Sequence, residues 1–242
     1  MRNDVRGQNA VITGAGSGVG KACALALAKE GVNVSICARS ADKLEQTARE
    51  CERLGVKTFR FAADITDEEA ISRFLSESDK ALGGIDIVVN NAGRALLKPA
   101  VECCASDYDD VFALNVRAPI LMCIKAVEYL RRSKSPTIVN IASSVALKPY
   151  INQSIYGASK YALRGFTQTF AQEVSDIGIK VLLLCPGGIN TEMIAVTRPD
   201  LAPESLISTE DLTDILVFAL THRNTASIDE FVIRRSSGAP FK

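Results

Sequence analysis

Short apolar runs alternate along the chain with longer segments whose apolar residues recur at helical spacing. Runs at 9–13, 33–38, 58–62, 85–90, 137–142, 180–185 and 231–233 read as strands. Val, Ile, Leu and Ala fill most of them continuously rather than alternately, the pattern of parallel strands covered on both faces. Helical segments lie between them. One spans 19–30, with Ala22, Ala26 and Leu27 on one side, and stops at Gly31; the next, 42–54, ends at Gly55, a left-handed cap. Thr66 with Glu69 reads as a capping box opening another. Segments 108–132, 156–175 and 210–220 follow, and Pro119 should bend or loosen the first of these.

No linker, charge block or internal repeat interrupts this alternation. It predicts one doubly wound, Rossmann-type α/β domain over 1–242, with a parallel sheet of about seven strands, helices on both faces and right-handed crossovers. Residues 188–208 form the longest stretch without a clear period and contain Pro199 and Pro203. Long loops in compact domains are usually functional, so this one reads as a substrate lid.

Composition narrows the partners. The 28 basic and 28 acidic side chains of this 242-residue chain cancel, which argues against a nucleic-acid or anionic-membrane surface. Its 7 cysteines are odd in number, form no C-x-x-C, and have a single histidine, His222, to join them. A disulfide scaffold or metal site is not expected, and a reducing compartment is. The polar start at 1–8 lacks a signal-peptide core, and no uncharged apolar run approaches the ~18 residues that span a bilayer. A cytoplasmic protein is expected.

The first strand runs into Thr13-Gly14-Ala15-Gly16-Ser17-Gly18-Val19-Gly20 and then a helix. A tight strand-to-helix turn asks for positive φ, and a missing Cβ lets backbone approach a pyrophosphate at the helix start. The second strand ends in Ala38-Arg39-Ser40. An NAD-preferring site would place an acid there for the ribose 2′-hydroxyl, whereas Arg39, assisted by Ser40, can fork onto a 2′-phosphate. NADP(H) is therefore expected ahead of NAD.

Tyr156 and Lys160 lie four apart at a helix start, so they share a face. An ammonium about 5 Å from a phenol, at an effective dielectric of ~20, is worth ~3 kcal/mol, enough to bring the phenol from ~10 toward neutrality. On this reading the lysine alone nearly suffices to make a general acid–base. Ser143, closing the fifth strand, can donate to a substrate carbonyl oxygen, with Ser144 as its competitor.

With these residues in order, the chain resembles the short-chain dehydrogenase/reductase family, in its single-domain branch, over almost its whole length. The matching positions are Gly14, Gly18, Gly20, Asp64, the run Asn90-Asn91-Ala92-Gly93, Asn115, Ser143, Tyr156, Lys160, Pro186-Gly187 and Thr191. The resemblance implies hydride transfer between a nicotinamide cofactor and a small carbonyl or alcohol substrate. Ser143 would hold the carbonyl oxygen and Tyr156 donate the proton. Lys160 would bind the nicotinamide ribose, and Asn115 anchor a proton-relaying water. Ser17, Val19 and the rest of the glycine turn would cradle phosphates. Asp64 and Ile65 would contact adenine, Asn90 would support the site beside the cofactor, and Asn91, Ala92, Gly93, Pro186 and Gly187 would bind the cofactor. Ile189 and Thr191, beyond Pro186-Gly187, would grip the carboxamide. Apolar positions on 112–130 and 161–170 exceed what a sheet face needs, and in this family the corresponding helices join subunits. A homotetramer is expected, or else a homodimer.

Two departures matter. Ser17 stands where many NADP-dependent relatives carry a basic residue, leaving Arg39 largely alone with the 2′-phosphate. The ending Ile233-Arg234-Arg235-Ser236-Ser237-Gly238-Ala239-Pro240-Phe241-Lys242 lacks the Gly-Gly pair of many 3-oxoacyl-carrier-protein reductases, which weakens that alternative. A non-catalytic NADP(H)-sensing regulator is the alternative from another class, and a sugar-nucleotide epimerase a third. Arg94, Lys148 and Arg198 at the mouth read as rim charges that would otherwise select an anionic substrate. Cys103-Cys104 read as packed thiols rather than a redox pair, and His222 as a helix-end cation.

Overall fold

The computed structural model describes residues 3–222 and 226–238; residues 1–2 of the polar start and 239–242 of the ending lie outside the described residues. Seven strands form one parallel sheet in the order β3-β2-β1-β4-β5-β6-β7. They are β1 Asn9–Thr13, β2 Asn33–Ala38, β3 Thr58–Ala62, β4 Ile87–Asn90, β5 Thr137–Ile141, β6 Lys180–Pro186 and β7 Glu230–Ile233. Every strand read from the sequence is present. β4 starts at Ile87 rather than 85, because the Asp86 carboxylate takes the Asn9 N–H at 2.8 Å before the ladder begins.

Among the described residues there are eight α-helices, α1 Gly18–Lys29, α2 Ala41–Glu52, α3 Glu68–Leu82, α4 Ala105–Phe112, α5 Ala118–Leu130, α6 Ser154–Glu173, α7 Glu192–Thr197 and α8 Thr209–Thr221, of which the six-residue α7 buries no side chain. Successive β1 residues point oppositely: Ile12 joins Leu27, Leu44 and Leu216 on one face, and Val11 joins Phe74, Met122 and Phe170 on the other. Two apolar cores sandwich the sheet, which is why its central strands β1, β4 and β5 are buried throughout, while the edge strand β3 leaves Arg60 exposed.

Four local readings change. The cap of α3 is Asp67, which accepts the Glu69 N–H at 3.0 Å, and not Thr66. Thr66 is captured instead by Asp64, whose Oδ1 takes its N–H at 2.9 Å and its hydroxyl at 2.8 Å. α2 stops at Glu52, two residues earlier than read, although Gly55 does adopt the left-handed conformation at φ 86°. The long segment 108–132 divides into α4, a π-turn at Ala113–Arg117 and α5. Pro119 has no N–H for the carbonyl four residues back, at Asn115, and one wider turn absorbs the loss. Finally, 188–208 is not structureless: it holds α7, a 3-10 turn at Pro203–Ser205 and a bridge between Ile189 and Ile207.

Candidate active site

The strand order reverses between β1 and β4, and ligand crevices in such sheets open outside the carboxyl ends of the strands at that point. A cleft of about 1810 Å³ opens there, walled by residues that follow β1, β2, β3, β4, β5 and β6.

Its first wall is the glycine turn. Gly14 and Gly18 take φ values of 69° and 52°, which only glycine adopts freely. A Cβ on Gly14 would stand 2.8 Å from the Ala92 Cα, and one on Gly20 would stand 2.3 Å from the Gly14 carbonyl oxygen. Gly20 is buried under the turn and off the cleft wall, so its part is packing rather than ligand contact. Asn91 donates its side-chain amide to the carbonyls of Thr13 at 2.9 Å and Gly14 at 3.2 Å, tying β4 to the turn. The Thr13 hydroxyl oxygen accepts the N–H groups of Asn91 and Ala92, both at 3.1 Å. α1 begins at this turn with Ser17 making no side-chain cap and no acid in its first turn. Ser17, Gly18 and Val19 therefore present an uncapped helix start to the cleft, suited to an anion.

Arg39 and Ser40 continue the wall beyond β2, and Ser40 caps α2 by accepting the Lys43 N–H at 3.4 Å. Asp64 and Ile65 follow β3. The Thr66 N–H, with lesser help from its hydroxyl and Arg39, holds the Asp64 carboxyl below its ordinary range. On the far side the Gly187 N–H donates to the Ile233 carbonyl at 2.7 Å. Thr191 caps the wall where α7 starts, its methyl 3.3 Å from where a Gly18 Cβ would lie.

Ser143, Tyr156 and Lys160 converge at the end of β5. Ser143 leaves the strand in extended conformation, its hydroxyl accepts the Val145 N–H at 3.4 Å, and it shares the cleft wall with Tyr156 and Lys160. Ser144 joins the cleft wall and opens the following 3-10 turn. Lys160, 5% exposed, donates from Nζ to the Ile141 carbonyl at 3.1 Å and lies 5.9 Å from the Tyr156 ring centre. The expectation that this lysine alone acidifies the phenol does not hold. Burial pushes Tyr156 above its ordinary 10.0, the neighbouring Ser143 hydroxyl opposes that, and burial lowers Lys160 from 10.5 to about 8. For each residue the largest influence is the cost of removing its charge from water.

Behind them, Asn115 is fully engaged. Its Oδ1 accepts the Arg94 N–H at 2.9 Å, and its amide donates to the Arg94 carbonyl at 2.9 Å and the Ser159 hydroxyl at 3.1 Å. Both amide hydrogens are thus committed to protein. Gly93 clears room for this arrangement, since a Cβ there would meet Asn115 Oδ1 at 3.1 Å and Lys160 Nζ at 3.6 Å. Asn90 donates to Asn140 Oδ1 at 2.8 Å, and its own Oδ1 is buried with no partner among the described residues.

Around the mouth the cations are largely matched. Arg94 pairs with Asp110 at 2.7 Å, Arg198 with Asp200 at 2.7 Å, and Lys148 sits 5.1 Å over the Tyr150 ring. No group of three or more His, Cys, Asp or Glu comes together among the described residues.

The profile of the short chain dehydrogenase family matches residues 8–202. The chain belongs to that family. An uncharacterized oxidoreductase of Staphylococcus aureus is 28% identical over 225 residues, covering 93% of this chain and 96% of the relative. Among solved structures, an alcohol dehydrogenase of the archaeon Thermococcus sibiricus, complexed with 5-hydroxy-NADP, superposes with a TM-score of 0.89 at 26% identity, covering 96% of this chain and 98% of that one. A metagenomic short-chain oxidoreductase in complex with NADP gives 0.84 at 28% identity, over 97% and 99% of the two chains. This short-chain dehydrogenase is therefore an NAD(P)-dependent oxidoreductase of CH–OH and carbonyl groups.

Two side chains of the dehydrogenase escaped the sequence reading. Thr13 organises the glycine turn from inside a strand, and Ser159 links Asn115 to α6, donating its hydroxyl to the Tyr156 carbonyl at 2.6 Å. Ser159 had one available signal, its place between Tyr156 and Lys160 on a helix that is otherwise alanine and glycine there.

Proposed function

We propose that this enzyme is NADP(H)-dependent and interconverts a neutral, apolar ketone or aldehyde with its alcohol. One observation carries the reading: Ser143, Tyr156 and Lys160 line one cleft, Lys160 held on the Ile141 carbonyl at the end of β5, and that cleft starts at an uncapped helix. The residues fit a dinucleotide. The glycine turn offers backbone and a helix start to the pyrophosphate. Arg39 and Ser40 would take the 2′-phosphate, Asp64 and Ile65 the adenine, and Ile189 and Thr191 the carboxamide. Asn91, Ala92 and Gly93 with Pro186 and Gly187 would form the walls between. Bound there, the cofactor supplies or accepts hydride.

The protein does the rest. Ser143 donates to the substrate oxygen and fixes its place, a preorganised donor of the kind worth ~10²–10³ in rate. Tyr156 delivers its phenolic proton to that oxygen in reduction and takes it back in oxidation. Burial of the phenol means that the proton leaves only when a second charge arrives to offset the phenolate, and Lys160 stands ready with one. Because both amide hydrogens of Asn115 are spoken for, we assign its side chain to holding the helix and the Arg94 backbone, and leave any relaying water to its carbonyl. Leu96, Leu97, Val145, Met193 and Val196 on the cleft wall favour an apolar substituent, and the paired cations at the mouth do not call for a carboxylate.

Residues 188–208 serve as the substrate lid. Subunits associate through α5 and α6, where Ile124 and Tyr161 stand 53% and 46% exposed. No helix among the described residues is long and apolar enough to cross a membrane.

The test is NADPH oxidation, with NADH alongside, over a panel of ketones, aldehydes, 3-oxoacyl thioesters and 2-oxo acids. Turnover of neutral ketones that Tyr156→Phe lowers by at least ~10² supports the assignment. Undiminished turnover in that variant, or a preference for the charged substrates, refutes it.

A further inference from the structure

If Arg39 faces the 2′-phosphate without a cation in the glycine turn, a second positive charge should be sought on the same wall. We propose that Lys43 is that cation, held on Glu192 of the lid helix until a 2′-phosphate draws it away. The inference rests on the NADP(H) reading above.

Lys43 sits in the first turn of α2, three residues beyond Ser40, which caps its N–H. Its stem lies against the glycine turn: a Cβ on Gly16 would stand 3.2 Å from the Lys43 Cβ and 3.3 Å from the Ala38 Cβ. Lys43 thus rises from the angle between the phosphate cradle and the end of β2, on the same cleft wall as Arg39 and Ser40. From there its amine turns toward the lid and meets Glu192 Oε2 at 3.1 Å. Glu192 opens α7 directly after Thr191, which touches the glycine turn.

The pair is built to exchange. Its two side chains are 49% and 78% exposed, and ion pairs in water are weak. A phosphate brings up to two charges and three acceptor oxygens, and with Arg39 and Ser40 already placed beside it, it outcompetes one mobile carboxylate. The flexible lysine stem can swing between the two without moving the helix. NAD, which has no 2′-phosphate, leaves the pair intact. Lys43 would therefore read the 2′ substituent twice, by binding the phosphate and by letting go of the lid.

Isothermal titration of the full-length protein with 2′,5′-ADP and with 5′-AMP tests this without turnover. Wild type should prefer 2′,5′-ADP. Lys43→Met should weaken 2′,5′-ADP about tenfold and leave 5′-AMP unchanged, and Lys43→Arg should restore most of the loss. Glu192→Gln should tighten 2′,5′-ADP about threefold, and that gain should vanish in the Lys43→Met background. A preference that survives Lys43→Met intact overturns the proposal while leaving the NADP(H) reading standing. So does a Glu192→Gln gain that is absent or that persists without Lys43. A wild type indifferent to the 2′-phosphate removes the cofactor reading and the proposal together.

Discussion

Asn115 gives an amide hydrogen to the Ser159 hydroxyl at 3.1 Å, and Ser159 in turn gives its own to the carbonyl of Tyr156. The π-turn between α4 and α5 is thereby fastened to the helix that carries Tyr156 and Lys160. The same asparagine clamps the Arg94 backbone on both its donor and its acceptor, just beyond β4. Three chain segments meet on one side chain that is 1% exposed.

Asn115→Leu keeps the volume and removes all three bonds. It leaves the part-buried Arg94 N–H and carbonyl without these partners, which should cost about 1–3 kcal/mol. kcat should fall by at least tenfold as well, because Tyr156 loses its brace. Urea denaturation and kinetics on the same preparation check both. A variant as stable as wild type would mean that the clamp is dispensable.

Gly93→Ala probes the same junction from the opposite side. Its Cβ would press on Asn115 Oδ1 at 3.1 Å and approach Lys160 Nζ at 3.6 Å, both belonging to groups that cannot retreat far. Stability should drop by about 1–3 kcal/mol, and kcat should drop more than KM rises. Equal effects on the two kinetic constants would place the damage in cofactor binding instead.

Much of this was legible from residues alone, and the failures have a common physical source. Most of the strands advertise themselves as runs of Val, Ile, Leu and Ala bounded by turn residues, and all seven expected strands lie within two residues of the observed bounds. Helix starts fared worse because neighbouring polar side chains compete: Asp64 took Thr66, and Asp67 became the cap. α7, six residues long, is too short to show a period. The acidity of Tyr156 was misjudged because the spacing of Tyr and Lys reveals their attraction but not the burial that opposes it. Ser159 passed unnoticed since a hydroxyl inside a helix reads as a solvated position until its partner on another helix is known.

Burial of Lys160 has a measurable consequence for the cofactor-free enzyme. The amine titrates at about 8 in the folded protein and at 10.5 when unfolded. Between those values the unfolded chain holds a proton that the folded chain lacks, so this residue adds stability as pH rises through the window, and the gain is lost below it. Lys160→Met lacks the effect. The stability of wild type minus that of Lys160→Met should climb by up to about 3 kcal/mol from neutral pH upward, read from denaturant midpoints. A difference that stays flat with pH would show that the amine is hydrated in solution.

The cysteines respond in the opposite sense. Cys23, Cys37, Cys51, Cys123 and Cys185 are buried, and burial pushes each thiol from 9.0 up to about 12. Cys104 is exposed and Cys103 half-buried. A thiol reagent at neutral pH should therefore label at most two sites in the native enzyme and all seven cysteines after denaturation. In alkali the unfolded chain gives up thiol protons above 9.0 while the folded chain keeps them, so stability is full below that value and falls as pH climbs toward 12. Each such thiol withdraws about 1.4 kcal/mol per pH unit. Five together should unfold a marginally stable domain within about two units. Circular dichroism followed from neutral pH into alkali should show one cooperative loss of helix, and replacing Cys23 and Cys123 with alanine should move it to higher pH. An unchanged transition in that double variant would mean that some other group governs alkaline unfolding.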